Sequence, residues 1–234
     1  MFNKKEYSNN WKDYYNSLTE SFLFPNEYVL RTFLGKYPNL DLRKDYRGLK
    51  VCDIGCGDGR NIVALNKIGF DVSATEINTQ ICDVTRKKLL NHPDKIEVDI
   101  REGFNWDLPF DNDIFDYLLS WNACYYMKDE SSKFEDHLAE YSRIMKKDGH
   151  FVVSMPTPKC CTLLGAENIG NGLIKINNQN KFTYLNGAIY KKFDSWDEIE
   201  KTFSPFFKNF KKATLSDDCF GMPLDYFILV CQKK

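Results

Sequence analysis

Asp53, Gly55, Gly57 and Gly59 occupy alternate positions of one short stretch, Asp53-Ile54-Gly55-Cys56-Gly57-Asp58-Gly59. A short apolar run, Leu49-Lys50-Val51-Cys52, leads into it, and an apolar-periodic segment starting near Arg60 leaves it. That arrangement predicts strand, tight turn and helix. Glycines permit positive φ and close approach of backbone, so the turn can press its amides against a ligand. A dinucleotide-binding turn needs G-x-G-x-x-G, with the pyrophosphate seated on the helix N-terminus. Here the glycines run G-x-G-x-G, and Asp53 stands two residues before the first of them. Negative charge at that place disfavours a pyrophosphate and favours a cationic ligand. A second carboxylate, Glu76, ends the next strand-like run, Phe70-Asp71-Val72-Ser73-Ala74-Thr75-Glu76. It can accept charge-assisted bonds from two neighbouring hydroxyls.

The surrounding elements must bring these groups together. Strand-like runs fall near 49–54, 70–76, 95–100, 114–120 and 149–155, and helical patterns near 60–68, 78–91 and 131–146. Alternation of this kind implies parallel strands joined by right-handed crossovers. Ligands of such open sheets lie beyond the carboxyl ends of the strands, at the switch point. The pattern Ser195-Trp196-Asp197-Glu198 caps a further helix over 195–203, and strands follow near 207–215 and 225–232. Residues 8–36 are aromatic-rich, with Trp11, Tyr14, Tyr15, Leu18 and Phe22 at helical spacing. Residues 156–193 break the alternation, being rich in Asn and Gly, and a connection of that length is usually functional or disordered.

The glycine turn with Asp53, the acid Glu76 and the alternating core resemble a class I S-adenosylmethionine-dependent methyltransferase. The resemblance spans roughly 48–155 strongly and the last strands weakly. It implies a Rossmann-like, doubly wound, mostly parallel seven-stranded sheet whose last strand is antiparallel. An N-terminal lid helix (1–47), an acceptor-side insertion (156–193) and a C-terminal helix and strands (194–234) would complete a single domain over 1–234. S-adenosylmethionine would be the cofactor and S-adenosylhomocysteine the product, with no metal. Asp53, Gly55, Cys56, Gly57, Gly59 and Asn61 would cradle the methionine part, Glu76 the ribose hydroxyls, and Ile77 the adenine. The stretch Arg101-Glu102-Gly103-Phe104-Asn105-Trp106-Asp107-Leu108-Pro109-Phe110 resembles the family's adenine loop. There Phe104 replaces the usual acid, so stacking by Phe104 and a hydrogen bond from Asn105 are expected instead. Ser120 would border the cofactor, and Trp11 and Tyr15 resemble a lid over it, with packing of one helix face as the other reading.

The segment Ser120-Trp121-Asn122-Ala123-Cys124-Tyr125-Tyr126 should border both cofactor and acceptor. It lacks the Asn/Asp-Pro-Pro-aromatic motif of exocyclic base methylases. Cys124 follows Ala123 rather than proline, so a buried thiol is expected there and not a nucleophile. No Asp-Asp-Asn arrangement suggests a catechol-type metal site. Tyr125 and Tyr126 are the candidate catalytic residues and, with Asn122, the candidate acceptor contacts; core packing of either tyrosine is the competing reading. The three histidines, His92, His137 and His150, read as structural or solvated.

Lys+Arg number 32 against Asp+Glu 33, a net charge of −1, so no global field draws the chain to nucleic acid or an anionic membrane. Eight cysteines form no paired C-x-x-C unit, no apolar run approaches membrane-spanning length, and Met1 to Asn10 lacks a signal-peptide core. A reduced cytoplasmic protein with a small-molecule acceptor is expected, the oligomeric state being open. The most favoured acceptor is a hydroxyl of a sugar or nucleotide-linked sugar, since the chain looks similar to methyltransferases that decorate bacterial surface polysaccharides. An RNA or protein acceptor, or a non-catalytic cofactor-binding module, are the alternatives.

Overall fold

The computed structural model describes Trp11, Tyr14 and residues 23–177 and 183–234; Tyr15 lies outside the described residues. Strand β1 (Lys50–Ile54) is buried from its second residue on, as its apolar run requires. Helix α1 (Glu27–Leu34) precedes it, with the Asn26 side chain capping Tyr28. After the glycine turn, α2 (Arg60–Lys67) buries Ile62, Ala64 and Leu65 and returns the chain to β2 (Asp71–Glu76). Helix α3 (Thr79–Asn91), capped by Asn78 on the Ile81 amide, leads to β3 (Asp99–Glu102). Strand β4 (Phe115–Ser120) lies on the other side of β1. There follow β5 (Tyr126–Met127), α4 (Phe134–Ile144) and β6 (Met145–Pro156). The chain ends with β7 (Glu167–Gly170), β8 (Leu173–Lys175), β9 (Ile189–Lys191), α5 (Trp196–Phe203), β10 (Phe207–Asp218) and β11 (Pro223–Lys233).

Seven strands form the main sheet in the order β10-β11-β6-β4-β1-β2-β3. The pairs among β1, β2, β3, β4 and β6 are parallel, while β11 is antiparallel to both of its neighbours. The expected Rossmann-like, mostly parallel sheet is therefore present, with β11 inserted between β6 and β10. The strand order reverses between β1 and β4, and the carboxyl ends part there into a cleft.

Apolar side chains fill both faces of the sheet. Phe115, Phe151, Phe203 and Phe207 pack with α4 and α5, and Val29, Phe33, Tyr46, Leu65 and Phe70 pack with α1 and α2. Tyr46 is buried against Phe33 and Phe70, and its hydroxyl donates to the Phe33 carbonyl at 2.8 Å. Tyr46→Phe keeps the ring and leaves that carbonyl unpaired, so it is expected to cost about 1–2 kcal/mol, read as a lower melting temperature.

Three expected boundaries move. The third strand begins at Asp99 instead of 95, because Lys95 takes φ 45° and the Ile96 amide donates to Leu89 of α3. The helix expected to reach 146 ends at Ile144, and β6 starts four residues before 149. Asp148 at φ 61° and Gly149 lie inside that strand, and a Cβ at Gly149 would meet the Lys146 carbonyl at 2.9 Å. Residues 156–193 contain the strands of a small antiparallel sheet, β5-β9-β8-β7, which takes Tyr126–Met127 as an outer strand.

Candidate active site

The cleft at the strand ends, which opens to solvent, is lined by Ile54, Gly55, Thr75, Glu76, Ile77, Gly103, Phe104, Asn105, Trp106, Asn122, Ala123, Tyr126, Met127 and Trp11.

The glycine turn closes over the end of β2. The Gly55 and Cys56 amides both donate to the Thr75 carbonyl at 3.0 Å, and the Gly57 amide donates to Glu76 Oε1 at 2.8 Å. Thr85 Oγ1 donates to the Gly57 carbonyl at 2.7 Å. These three amides hold the turn itself, contrary to the expectation that they press on a ligand. What the glycines provide is close approach. Gly55 has φ 69°, and a Cβ there would lie 2.6 Å from Cβ of Ala123 on the opposite wall. Gly55→Ala is therefore expected to destabilise the fold by about 2–3 kcal/mol, from the left-handed backbone and the clash together, as measured by denaturant unfolding.

Asp53 and Glu76 supply the charge. Asp53 is 1% exposed, and its Oδ2 has no hydrogen-bond partner among the described residues. Burial, reinforced by Glu76 and Asp58, pushes its carboxyl up to about 8. Glu76 is also shifted upward by burial, against the opposing pull of the Ile77 and Gly57 amides; Ile77 N donates to its Oε2 at 2.8 Å. Asp58 is paired with Arg60 through two contacts of 2.9 and 2.8 Å. An unpartnered buried carboxylate oxygen is a costly group that a cationic ligand relieves. With the two-oxygen acceptor of Glu76 beside a cradle that a Cβ at Gly55 would block, these residues fit S-adenosylmethionine: cation at Asp53, vicinal hydroxyls at Glu76.

The facing wall is aromatic. Phe104 stacks on Trp106 with centroids 5.1 Å apart. The Trp11 ring meets Tyr126 edge-on at 5.8 Å and Tyr184 at 5.3 Å, and Tyr14 stacks on Tyr184 at 4.4 Å. Asn105 Nδ2 donates to the carbonyls of Ala123 and Tyr126, at 2.9 and 3.2 Å. Asn122, at φ 60°, receives the Ser154 hydroxyl on its Oδ1 and donates its backbone amide to Ser154 Oγ, both at 2.9 Å.

Of the residues expected at the site, Gly55, Glu76, Ile77, Phe104, Asn105, Asn122, Tyr126 and Trp11 line the cleft. Asp53, Cys56, Gly57 and Gly59 lie in the strand end and turn behind it. Asn61 faces elsewhere: its Oδ1 accepts the Asn26 amide at 3.0 Å and so fixes the start of α1. Ser120 is fully buried in β4, and Tyr125 is 3% exposed and packs on Tyr190, so neither reaches the lining. Cys124 is fully buried, as expected, with its thiol shifted upward by burial. His137 is buried too; its Nδ1 donates to the Cys124 carbonyl at 3.0 Å, and burial lowers its ring to about 4. Ile54, Thr75 and Met127 also line the cleft without having been expected there, and Gly103, Trp106 and Ala123 line it from within the two segments expected to border adenine and acceptor.

Residues 51–149 match the family model described as a methyltransferase domain. No curated protein matches the chain by sequence. The fold is similar to that of a SAM-dependent methyltransferase from Methanosarcina mazei, with 17% identity, TM-score 0.63, and coverage of 82% of this chain and 94% of that one. A Pyrococcus horikoshii protein is similar at 19% identity and TM-score 0.64, covering 95% and 99%. The Burkholderia thailandensis 1,6-didemethyltoxoflavin-N1-methyltransferase, whose structure holds 1,6-didemethyltoxoflavin and S-adenosylhomocysteine, is similar at 17% identity and TM-score 0.62, covering 99% and 87%. Residues 51–149 thus form a methyltransferase domain, in a fold shared with solved S-adenosylmethionine-dependent methyltransferases.

Proposed function

We propose that the acceptor is a small polar molecule, a hydroxyl of a sugar or nucleotide-linked sugar, that meets the cofactor from the side of Trp11, Asn122 and Tyr126. The observation that carries the orientation is Glu76, which lines the cleft and accepts two amides, with Asp53 just behind it, its Oδ2 unpartnered among the described residues, while Trp11, Phe104, Trp106 and Tyr126 line the same cleft. The sulfonium methyl is the group that bound S-adenosylmethionine supplies. The chain's own part is to align acceptor and cofactor and to exclude water. Asp53 would hold the cationic end, Glu76 the ribose hydroxyls, and Phe104 with Ile77 the adenine. Trp11 and Tyr126 would offer flat apolar faces against which the C–H face of a sugar ring packs, and the exposed Asn122 lines the same space. Burial keeps the Tyr126 phenol protonated well past its ordinary range, so it donates and packs and does not serve as a base. Residues 156–193, whose strands pair with Tyr126–Met127, would form the acceptor-side wall. Balanced charge supports a small molecule over nucleic acid, and eight free thiols support a reduced, cytoplasmic setting. Among the described residues no helix is long and apolar enough to cross a membrane.

The test is incubation with methyl-labelled S-adenosylmethionine and a size-fractionated extract of the host. Label is expected in the small polar fraction. Label confined to macromolecules would overturn the small-acceptor reading.

A further inference from the structure

We propose that Asn105 is a positioning residue that fixes the acceptor loop against the cofactor loop, its side-chain NH2 acting as a clasp; this rests on the reading of the cleft as the cofactor site. Asn105 Nδ2 lies 2.9 Å from the Ala123 carbonyl, 3.2 Å from that of Tyr126 and 3.4 Å from that of Cys124. One amide group thus gathers three backbone oxygens of the loop that follows β4. A donor in that position replaces water for carbonyls in a part-buried place.

The clasp can position because both of its ends are held. On the Asn105 side, Arg143 of α4 donates to the carbonyls of Phe110 (2.7 Å) and Leu108 (2.9 Å), Glu140 accepts the Leu108 amide at 3.0 Å, and Arg101 donates to the Pro109 carbonyl at 2.8 Å. The Gly103 amide donates to the Glu76 carbonyl at 2.9 Å, tying the same loop to the end of β2. On the acceptor side, His137 Nδ1 holds the Cys124 carbonyl from below, and Ser154 holds Asn122. Between these anchors lies Ala123, whose Cβ faces Gly55 so closely that no methyl fits between them. The residue that sets Ala123 therefore sets the gap between the glycine turn and the loop carrying Tyr126. In-line methyl transfer is steeply sensitive to that gap, since a misplacement of about 1 Å costs about 100-fold in rate.

Asn105→Ala and Asn105→Asp both remove the donors, the second with the side chain's shape kept. Three readouts separate positioning from a general loss of structure. Affinity for S-adenosylhomocysteine by calorimetry is expected to fall by far less than transfer, because the Asn105 Nδ2 is engaged with the Ala123 and Tyr126 carbonyls and the Glu76 bonds are untouched. Hydrogen exchange of amides 121–127 is expected to quicken at least about tenfold while 53–59 keeps its protection. Transfer of label to the host small-molecule fraction is expected to fall at least about tenfold, with Asn105→Gln recovering part of it. Unchanged exchange in 121–127, or wild-type transfer, in both variants would overturn the proposal. Equal losses of affinity and transfer would also overturn it, by assigning Asn105 to the cofactor alone. Absence of S-adenosylhomocysteine binding to the wild type would instead sink the reading of the cleft, and the exchange measurement would still decide whether Asn105 holds the loop.

Discussion

Glu76→Ala is expected to weaken S-adenosylhomocysteine binding by at least about 100-fold. The carboxylate accepts the amides of Gly57 and Ile77, each at 2.8 Å, and both bonds disappear with it. The loss of affinity comes from the two bonds that vicinal hydroxyls of the cofactor would make to the carboxylate: each hydrogen bond to an ionised group is worth about 1.5–3 kcal/mol, so two amount to about 3 kcal/mol or more, and each 1.4 kcal/mol is tenfold in affinity. The Gly57 bond also fixes the turn that approaches Ala123, so its loss disorders the cradle as well as removing the acceptor proposed for the ribose. Glu76→Gln keeps the volume but turns an NH2 toward one of the two amides, and a loss of at least about tenfold is expected from it. Isothermal titration of both variants decides the matter, with thermal melts alongside. The fold itself should survive, because removing a buried carboxylate relieves the charge that lifts Asp53. Binding of the alanine variant within tenfold of wild type would show that Glu76 is not at the cofactor.

The two acids and the glycines were legible in the sequence because their chemistry depends on local spacing: a carboxylate at a strand end and a turn that needs positive φ. The strands β1 and β4 were legible for a similar reason, as largely apolar runs buried on both faces, while β2 showed through Val72 and Ala74 in alternation and its terminal acid. What was not legible depends on partners distant in the chain. Asn61 lies next to the turn in sequence, yet its side chain serves Asn26, 35 residues earlier. Tyr125 and Tyr126 are adjacent aromatics, and only the pairing of β5 with β9 decides that Tyr126 faces the cleft while Tyr125 enters the core. The strands within 156–193 are three or four residues long, two of them joined through Gly170-Asn171-Gly172 at positive φ, too short for an alternating pattern. Nor could spacing reveal that the Gly55, Cys56 and Gly57 amides hold β2, since the acceptors are a backbone carbonyl and Glu76, about 20 positions away.

Cofactor affinity is expected to rise with pH up to about 8 and to level off above it, with close to one proton released per binding event at neutral pH. The free protein holds Asp53 near 8 against an ordinary value of 3.8, chiefly through burial. In the fold this carboxyl therefore keeps a proton that the unfolded chain has already shed. The sign follows: between about 4 and about 8 the folded state binds more protons than the unfolded one, so the stability of the free protein falls as pH rises through that window. A cation seated against Asp53 favours the ionised form and drives its carboxyl back down, and the proton leaves as the ligand enters. Linkage then sets the slope of affinity with pH at up to about tenfold per unit below 8. The measurement is calorimetry at pH 7 in buffers of different ionisation enthalpy, repeated for affinity between pH 6 and 9. Glu76 is shifted in the same direction, so the variant matters: Asp53→Asn should bind weakly, lose most of the slope, and flatten the stability profile of the free protein. Any slope remaining in that variant belongs to Glu76. An affinity that does not change between pH 6 and 8, with heats independent of buffer, would mean that no cation is received by Asp53, and the oxygen left unpaired at the end of β1 would then need another occupant.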